Sequence, residues 1–299
     1  MRGSTCPPGT NRSCLLTLLI ATLLLFDGFS GSTARAEENA ASGALFDKKL
    51  FLAVGGFFPI IDATFSLNPS QGGGSGGDIS FEDDLGMDET AASAWIGLNW
   101  RFQPRHQLQF EWFQLNRSGD TSASRDLPLI GDTTVSVGAA LSSKMDLNLG
   151  RITYGYSIVR DKTVDLSFLA GVHVATTKVS VTASGAIAVD GVPQIGDSST
   201  ESSSTITFPL PHIGGSASWK FAPRWTGDIR LLLFALEIDA YSGHLIEADA
   251  TVGYQFTKTF GLGTGLKYFN LNLQAQSTHA GAEFDYQFFG PVIFGYASF

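Results

Sequence analysis

Five histidines, His106, His173, His212, His244 and His279, and the acids around them are the groups of this chain with the capacity for acid–base work. Asp239 and His244 flank one predicted loop, and Glu283 stands near His279. A Ser-His-acid hydrolase needs its base within hydrogen-bond reach of the nucleophile and a third group to orient that base. If the chain hydrolyses anything, replacing His244 or His279 by Ala should abolish it. A second concentration of charge is the acidic run Asp78, Glu82, Asp83, Asp84, Asp88 and Glu89, which follows the glycine-rich stretch from Gln71 to Gly77. Clustered carboxylates can hold Ca²⁺ or Mg²⁺. Here the spacing does not match an EF-hand loop, and the alternative is a solvated loop folded over a mouth by Phe81, Leu85 and Met87. No metal site and no cofactor is expected.

The compartment of these residues is set by the N-terminus. Arg2 and Arg12 precede an apolar run from Leu15 to Phe26, and Ala34-Arg35-Ala36 supplies a small-x-small site. That is the order of a secretory signal, and the run is too short to span a bilayer as a helix, which needs about 20 residues. Cleavage is expected after Ala36, giving a signal over 1–36, a periplasmic segment over 37–48 and one folded domain over 49–299. Both cysteines, Cys6 and Cys14, leave with the signal, so disulfides, thiolate nucleophiles and Cys-based metal sites are not expected. Asn11-Arg12-Ser13 before Cys14 is not a lipoprotein pattern. Losing Arg2, Arg12, Arg35 and Asp27 moves the formal charge from −9 to about −11. So acidic a chain is a poor nucleic-acid binder, which requires a basic patch.

The elements positioning these groups read with period two. From His244 to Phe256, Ile246, Ala248, Ala250, Val252 and Tyr254 alternate with Leu245, Glu247, Asp249, Thr251 and Gln255. Phe260, Leu262, Leu266 and Tyr268 alternate with glycines and Lys267, and Ile96, Leu98, Trp100 and Phe102 alternate with Trp95, Gly97, Asn99 and Arg101. Alternation of this kind predicts half-buried strands. Short connections near 103–105, 160–163, 222–224 and 257–259 alternate with longer ones, including 67–90, 127–134 and 186–205. Trp100, Phe102, Trp219, Phe221, Trp225, Phe256 and Phe260 gather at the short turns. Short periplasmic turns, long outer loops and an aromatic girdle are the pattern of a transmembrane barrel. The expected fold is all-β: an up-and-down antiparallel barrel of about ten strands, with eight or twelve as alternatives and a kink-prone first strand at Gly55-Gly56 and Pro59.

The chain ends Val292-Ile293-Phe294-Gly295-Tyr296-Ala297-Ser298-Phe299. Here it resembles the outer-membrane β-barrel superfamily, porin-like and OmpA-like barrels included, whose members end in an aromatic strand with a terminal Phe. The resemblance implies a bacterial outer-membrane location, contact with lipid and lipopolysaccharide, and recognition of Phe299 by the barrel-assembly machinery. The superfamily usually has an aromatic two residues before that Phe; Ala297 stands there, and Tyr296 is one place earlier. Omptin proteases, lipid-A deacylases and outer-membrane phospholipases are barrels of similar size, but the histidines here do not show their spacings.

With the oily face against lipid, the inner face should carry Arg101, Glu111, Arg151, Asp165, His173, His212, Lys220, Asp228, Arg230, Glu247, Asp249, Lys267, Glu283 and Asp285. Eight-stranded barrels are filled by side chains and sixteen-stranded porins are open, so these groups either line a conduit or plug it. The expected function is a porin-like or small-solute channel. The alternative is a structural or surface-interaction barrel with ligand-binding outer loops, and a lipid or peptide hydrolase stands third. A monomer is the default.

Overall fold

The computed structural model describes residues 48–69, 77–128, 133–185, 187–189, 192–194, 199–238, 241–276 and 280–299. The signal, Ala36, most of 37–48, Asp239 and His279 lie outside the described residues. Sixteen strand segments follow in chain order: β1 Leu50–Phe57, β2 Ile60–Pro69, β3 Gly77–Ser80, β4 Ser93–Gln103, β5 His106–Ser122, β6 Leu127–Pro128, β7 Thr133–Val135, β8 Ala140–Arg160, β9 Val164–Ser184, β10 Ile187–Val189, β11 Val192–Gln194, β12 Ser199–Ala222, β13 Trp225–Ile238, β14 Tyr241–Gln255, β15 Phe260–Gln276 and β16 Ala280–Ser298. The described residues contain no helix long and apolar enough to cross a membrane.

Ten of these strands close a ring in the order β1-β4-β5-β8-β9-β12-β13-β14-β15-β16, sealed by antiparallel pairing of β1 with β16 from Phe51↔Ser298 to Phe57↔Val292. Closure removes the sheet edge, as a strand in lipid requires. β2 and β3 bring the sheet to twelve segments, and β6, β7, β10 and β11 form a small separate sheet among the long loops. The first strand breaks at Phe58-Pro59, as expected. Proline supplies no ladder N–H, and β2 then continues up β16 while β4 stays behind. At the break the backbones touch: a Cβ on Gly290 would collide with the Phe58 carbonyl oxygen.

Side-chain polarity inverts along the strands. Near the short turns of β5, Leu108 and Phe110 point outward while Gln107, Gln109 and Glu111 are buried in the lumen. Farther up the same strand, Phe113 and Leu115 are buried and Asn116 and Ser118 are exposed. β8 repeats this, with exposed Ile152, Tyr154, Tyr156 and Ile158 below, and exposed Ser142 and Lys144 over buried Leu141, Met145, Leu147 and Leu149 above. β9 does likewise, from exposed Leu166, Phe168 and Val174 to exposed Lys178 and Thr182. Lipid selects an apolar exterior and water a polar one, so the reversal marks the membrane surface. β8 and β9 have 21 residues each and β12 has 24, against the 9–11 or so that cross a bilayer. The upper part of the barrel therefore stands in water as an ordinary apolar-cored barrel.

The acidic segment builds wall above β4. β3 pairs with β2, a turn follows, and the Asp88 N–H reaches the Ser118 carbonyl of β5 at 3.2 Å. Ile79, Phe81, Leu85 and Met87 are buried. Glu82 pairs with buried Arg117 and accepts the Ala63 N–H at 3.1 Å. Asp84 accepts the Ser80 N–H at 3.0 Å and pairs with Arg125 at 2.7 Å; the Arg125 guanidinium holds its carboxyl below the ordinary range. Gly86 has φ +65° and presses its carbonyl into the space that a Cβ on Gly119 would need, so position 119 admits no side chain.

Candidate functional site

Six charged side chains from five strands meet across the lumen. Glu111 comes from β5, Arg151 from β8, Arg230 from β13, Glu247 and Asp249 from β14, and Lys267 from β15. Arg151 Nη2 donates to Glu111 Oε2 at 2.7 Å, and its Nη1 pairs with Glu247. Lys267 Nζ lies 2.6 Å from Glu111 Oε1 and 2.8 Å from Asp249 Oδ1. Arg230 Nη1 donates to Asp249 Oδ2 at 3.1 Å. Charge in such a place is costly unless paired, and here three carboxylates balance three cations. Glu111, Glu247 and Asp249 bring one oxygen each within 4.8 Å of one another, but Arg151 and Lys267 already supply the positive charge there.

Glu247 also ends a chain of hydrogen bonds. His173 Nε2 is 2.6 Å from Glu247 Oε2, His212 Nδ1 is 3.0 Å from His173 Nδ1, and His212 Nε2 is 3.0 Å from Thr153 Oγ1. Thr153, His173 and His212 are all buried. The order of protons follows from one end. An ionised carboxylate only accepts, so His173 carries its proton on Nε2. With both rings neutral, its Nδ1 accepts from His212 Nδ1–H, and His212 Nε2 accepts the Thr153 hydroxyl. That arrangement gives the two rings opposite tautomers and adds no charge to the balanced six-charge layer. Nitrogen-15 spectra of the folded barrel at neutral pH should show an Nε2–H ring at His173 and an Nδ1–H ring at His212. An imidazolium at either position would refute the assignment.

Nearer the short turns a second network surrounds Asp165. Arg101 Nη2 donates to Asp165 Oδ2 at 2.7 Å and to Gln107 Oε1 at 3.0 Å, and Ser167 donates to Asp165 at 2.9 Å. Asp228 accepts the Ser218 hydroxyl at 2.5 Å, and Lys220 shares this inner face.

Toward the long loops the lumen is closed by aromatics. Phe269 stacks on Phe288 at 4.8 Å and 4°, and Phe57 and Phe113 meet Phe288 edge-on at 5.4 and 5.6 Å. All four are buried, with Ile61, Leu232 and Leu245. Above the charged layer the inner face that the sequence reading filled with polar groups turns mostly apolar, with Arg117 paired to Glu82 among the apolar side chains.

Of the fourteen expected lumen residues, twelve point inward and two do not. On β16 the buried positions are Tyr286, Phe288, Val292, Phe294 and Tyr296, so Glu283 and Asp285 face outward. There Asn272 Nδ2 donates to Glu283 Oε1 at 2.7 Å and to Asp285 Oδ2 at 3.2 Å. Tyr296 is lumenal for the same reason, which explains its offset from the terminal Phe. His244 is exposed on the outer side of β14. His106 Nδ1 pairs with the Tyr154 hydroxyl at 2.6 Å. Sequence reasoning missed Trp95, Phe294 and Tyr296 as lumen residues.

No protein-family model and no curated protein matches the chain. Solved structures do. The outer membrane protease OmpT from Escherichia coli aligns over 83% of this chain and 97% of its own, with a TM-score of 0.54 at 12% identity. The outer membrane protein OprG from Pseudomonas aeruginosa covers 86% and 98% at 8% identity with a TM-score of 0.34. The attachment invasion locus protein Ail of Yersinia pestis covers 84% and 98% at 10% identity with a TM-score of 0.27. At such identities the likeness is one of fold, and the OmpT alignment carries it.

Proposed function

We propose, from the premise that the chain is an outer-membrane β-barrel of the bacterial outer membrane, that it works at its outer rim as a surface-interaction barrel and not through its lumen as an open channel. The observation that carries this reading is the double closure of the lumen, by the Arg151-centred layer and by the Phe288-centred layer above it. A solute would have to displace both. The upper barrel supports the same reading. It lifts a polar outer surface clear of the apolar belt, with Lys144 and Lys178 outward on neighbouring strands among serines and threonines. Ammonium groups just above the belt suit the phosphates of lipopolysaccharide. Export by the segment ending at Ala36 belongs to the same proposal.

Planar-bilayer recording should show no steady conductance for the reconstituted protein at any holding potential. Purified lipopolysaccharide should bind it, and Lys144→Ala/Lys178→Ala should weaken that binding while strand content by circular dichroism is unchanged. A stable open-channel current would overturn the closed reading, and unaltered lipopolysaccharide binding by the double variant would overturn the role of the rim.

A further inference from the structure

The short-turn end of the barrel exposes charge of nearly one sign. Four hairpin turns close there, and each places one exposed cation on the rim: Arg105 between β4 and β5, Lys162 between β8 and β9, Arg224 between β12 and β13, and Lys258 between β14 and β15. Among the described residues, none of the four has a carboxylate within ion-pair distance. Asp161 is the one exposed acidic side chain at this end among the described residues. Its Oδ1 is taken up by its own turn, where it accepts the Thr163 and Val164 N–H groups at 2.7 and 2.8 Å. The remaining seam, β16 against β1, holds Lys49 and the Phe299 carboxylate, and the Lys49 N–H donates to Phe299 at 2.7 Å. The whole chain has a formal charge of −9, but its exposed acids gather at the other end, Asp62, Asp88, Asp120, Asp126 and Glu237 among them.

Apolar side chains on the outer face reach almost to these cations. Exposed Phe102 precedes Arg105 by three positions, Phe221 precedes Arg224 by three and Trp225 follows it directly, and Phe256 and Phe260 flank Lys258. Beside Lys162 the exposed residues are Ile158, Val159 and Leu166. Exposed aromatic rings of a barrel sit at the headgroup level of the bilayer. At about 3.3 Å per strand residue, the turn cations stand within about 10 Å of that level. Their apolar stems lie along such a surface while the charged heads reach the layer of phosphates.

We propose that the short-turn rim is a docking surface for anionic phospholipids of the periplasmic leaflet, with one headgroup phosphate held at each hairpin. The sign of the charge selects an anion, and its depth beside the girdle selects a lipid over a free anion. The spread of the cations selects a lipid over a protein. The four hairpins are distributed through the ring order β1-β4-β5-β8-β9-β12-β13-β14-β15-β16, so their cations face different sides of the barrel. A shell of lipids meets all of them, whereas an acidic protein docked on one side would not. The arginine fork takes two phosphate oxygens at once, and lysine supplies a point charge. A headgroup of net negative charge is favoured over a zwitterionic one, because the ammonium group of the latter would crowd the rim cations. This inference concerns the end of the barrel opposite the outer rim and does not depend on the role of that rim.

The test is electron spin resonance of the protein reconstituted in phosphatidylcholine vesicles that hold a trace of chain-labelled phosphatidylglycerol or, for comparison, chain-labelled phosphatidylcholine. The motionally restricted fraction measures which lipid the barrel keeps beside it. At 0.1 M NaCl phosphatidylglycerol should be preferred about two-fold or more, since a surface cation favours an anionic headgroup about five-fold and only part of the lipid shell lies next to one. In 1 M NaCl, where screening acts within about 3 Å, the preference should disappear; this arm needs no variant. Arg105→Gln/Lys162→Gln/Arg224→Gln/Lys258→Gln should remove the preference at low salt while strand content by circular dichroism is unchanged. Glycerol 3-phosphate added at matched ionic strength should leave the preference in place. Equal restriction of the two lipids by the wild-type protein overturns the proposal. So does a preference that survives in the quadruple variant, and displacement by glycerol 3-phosphate would make the rim a site for free phosphates instead.

Discussion

Replacing Arg151 with Met should lower the stability of the barrel by about 3–5 kcal/mol, the range for removing one partner of a buried ion pair. Met fills similar space, so the loss is electrostatic. Arg151 bridges Glu111 and Glu247 and lies 3.8 Å from Asp249. Without it, three carboxylates face Lys267 and the more peripheral Arg230, and the layer carries a net negative charge away from water. Restoring parity should recover part of the loss. Arg151→Met/Glu111→Gln removes one charge of each sign, and the amide oxygen that replaces the Glu111 carboxylate can still accept from Lys267. The double variant should therefore be more stable than Arg151→Met alone, with a coupling energy inside the usual range of about 0.5–3 kcal/mol for contacting residues. Urea unfolding of wild type, the single variants and the double variant in the same micelles, followed by tryptophan fluorescence, measures the cycle. An Arg151→Met protein within about 0.5 kcal/mol of wild type, the scatter expected at an uninvolved surface site, would mean that the network contributes nothing.

The strand pattern is legible in the sequence because period two is a property of the backbone: whichever face is oily, successive side chains alternate. The ring, its ten members, the break at Pro59 and the lumenal positions from Arg101 to Lys267 all follow from that alternation and from the turns. Which face is inside does not follow from it. The choice depends on height, since lipid wants an apolar exterior and water a polar one, and a strand that leaves the membrane reverses its polarity without changing phase. Placing Glu283 and Asp285 inward rests on the rule that acids avoid the exterior, which holds only at membrane height. They lie on the stretch of β16 where the exterior is aqueous, opposite Asn272 and Gln274. One signal for the reversal is present in the sequence. On β15 the face that carries Lys267 continues with Phe269 and Leu271, and on β5 the face of Glu111 continues with Phe113 and Leu115. A polar face that turns apolar partway along marks the membrane surface. The acidic segment is harder to place. Its position as wall between β2 and β5 depends on Arg117, which the sequence separates from Glu82 by 35 residues, and on the close approach of Gly86 to Gly119.

Phe288→Ala should cost about 3–5 kcal/mol, the range for truncating a buried aromatic in a core that cannot fully collapse. Phe288 is the hub of the upper layer, touching Phe57, Phe113, Phe269 and Tyr286. The ring partners sit on strands fixed by the closed ladder, so the space left behind should persist. Phe288→Leu keeps most of the volume and should cost less than Phe288→Ala, because a smaller cavity is left. The two variants separate packing from any specific aromatic effect, because stacking adds only about 0.5–1.5 kcal/mol beyond area. Phe288→Ala also tests which layer closes the lumen. The Arg151 network lies beneath the aromatic layer and does not touch Phe288 directly, so the variant should remain non-conducting in a planar bilayer. A steady current through Phe288→Ala would mean that the aromatic layer alone had been the barrier and that the ion pairs below it admit solute.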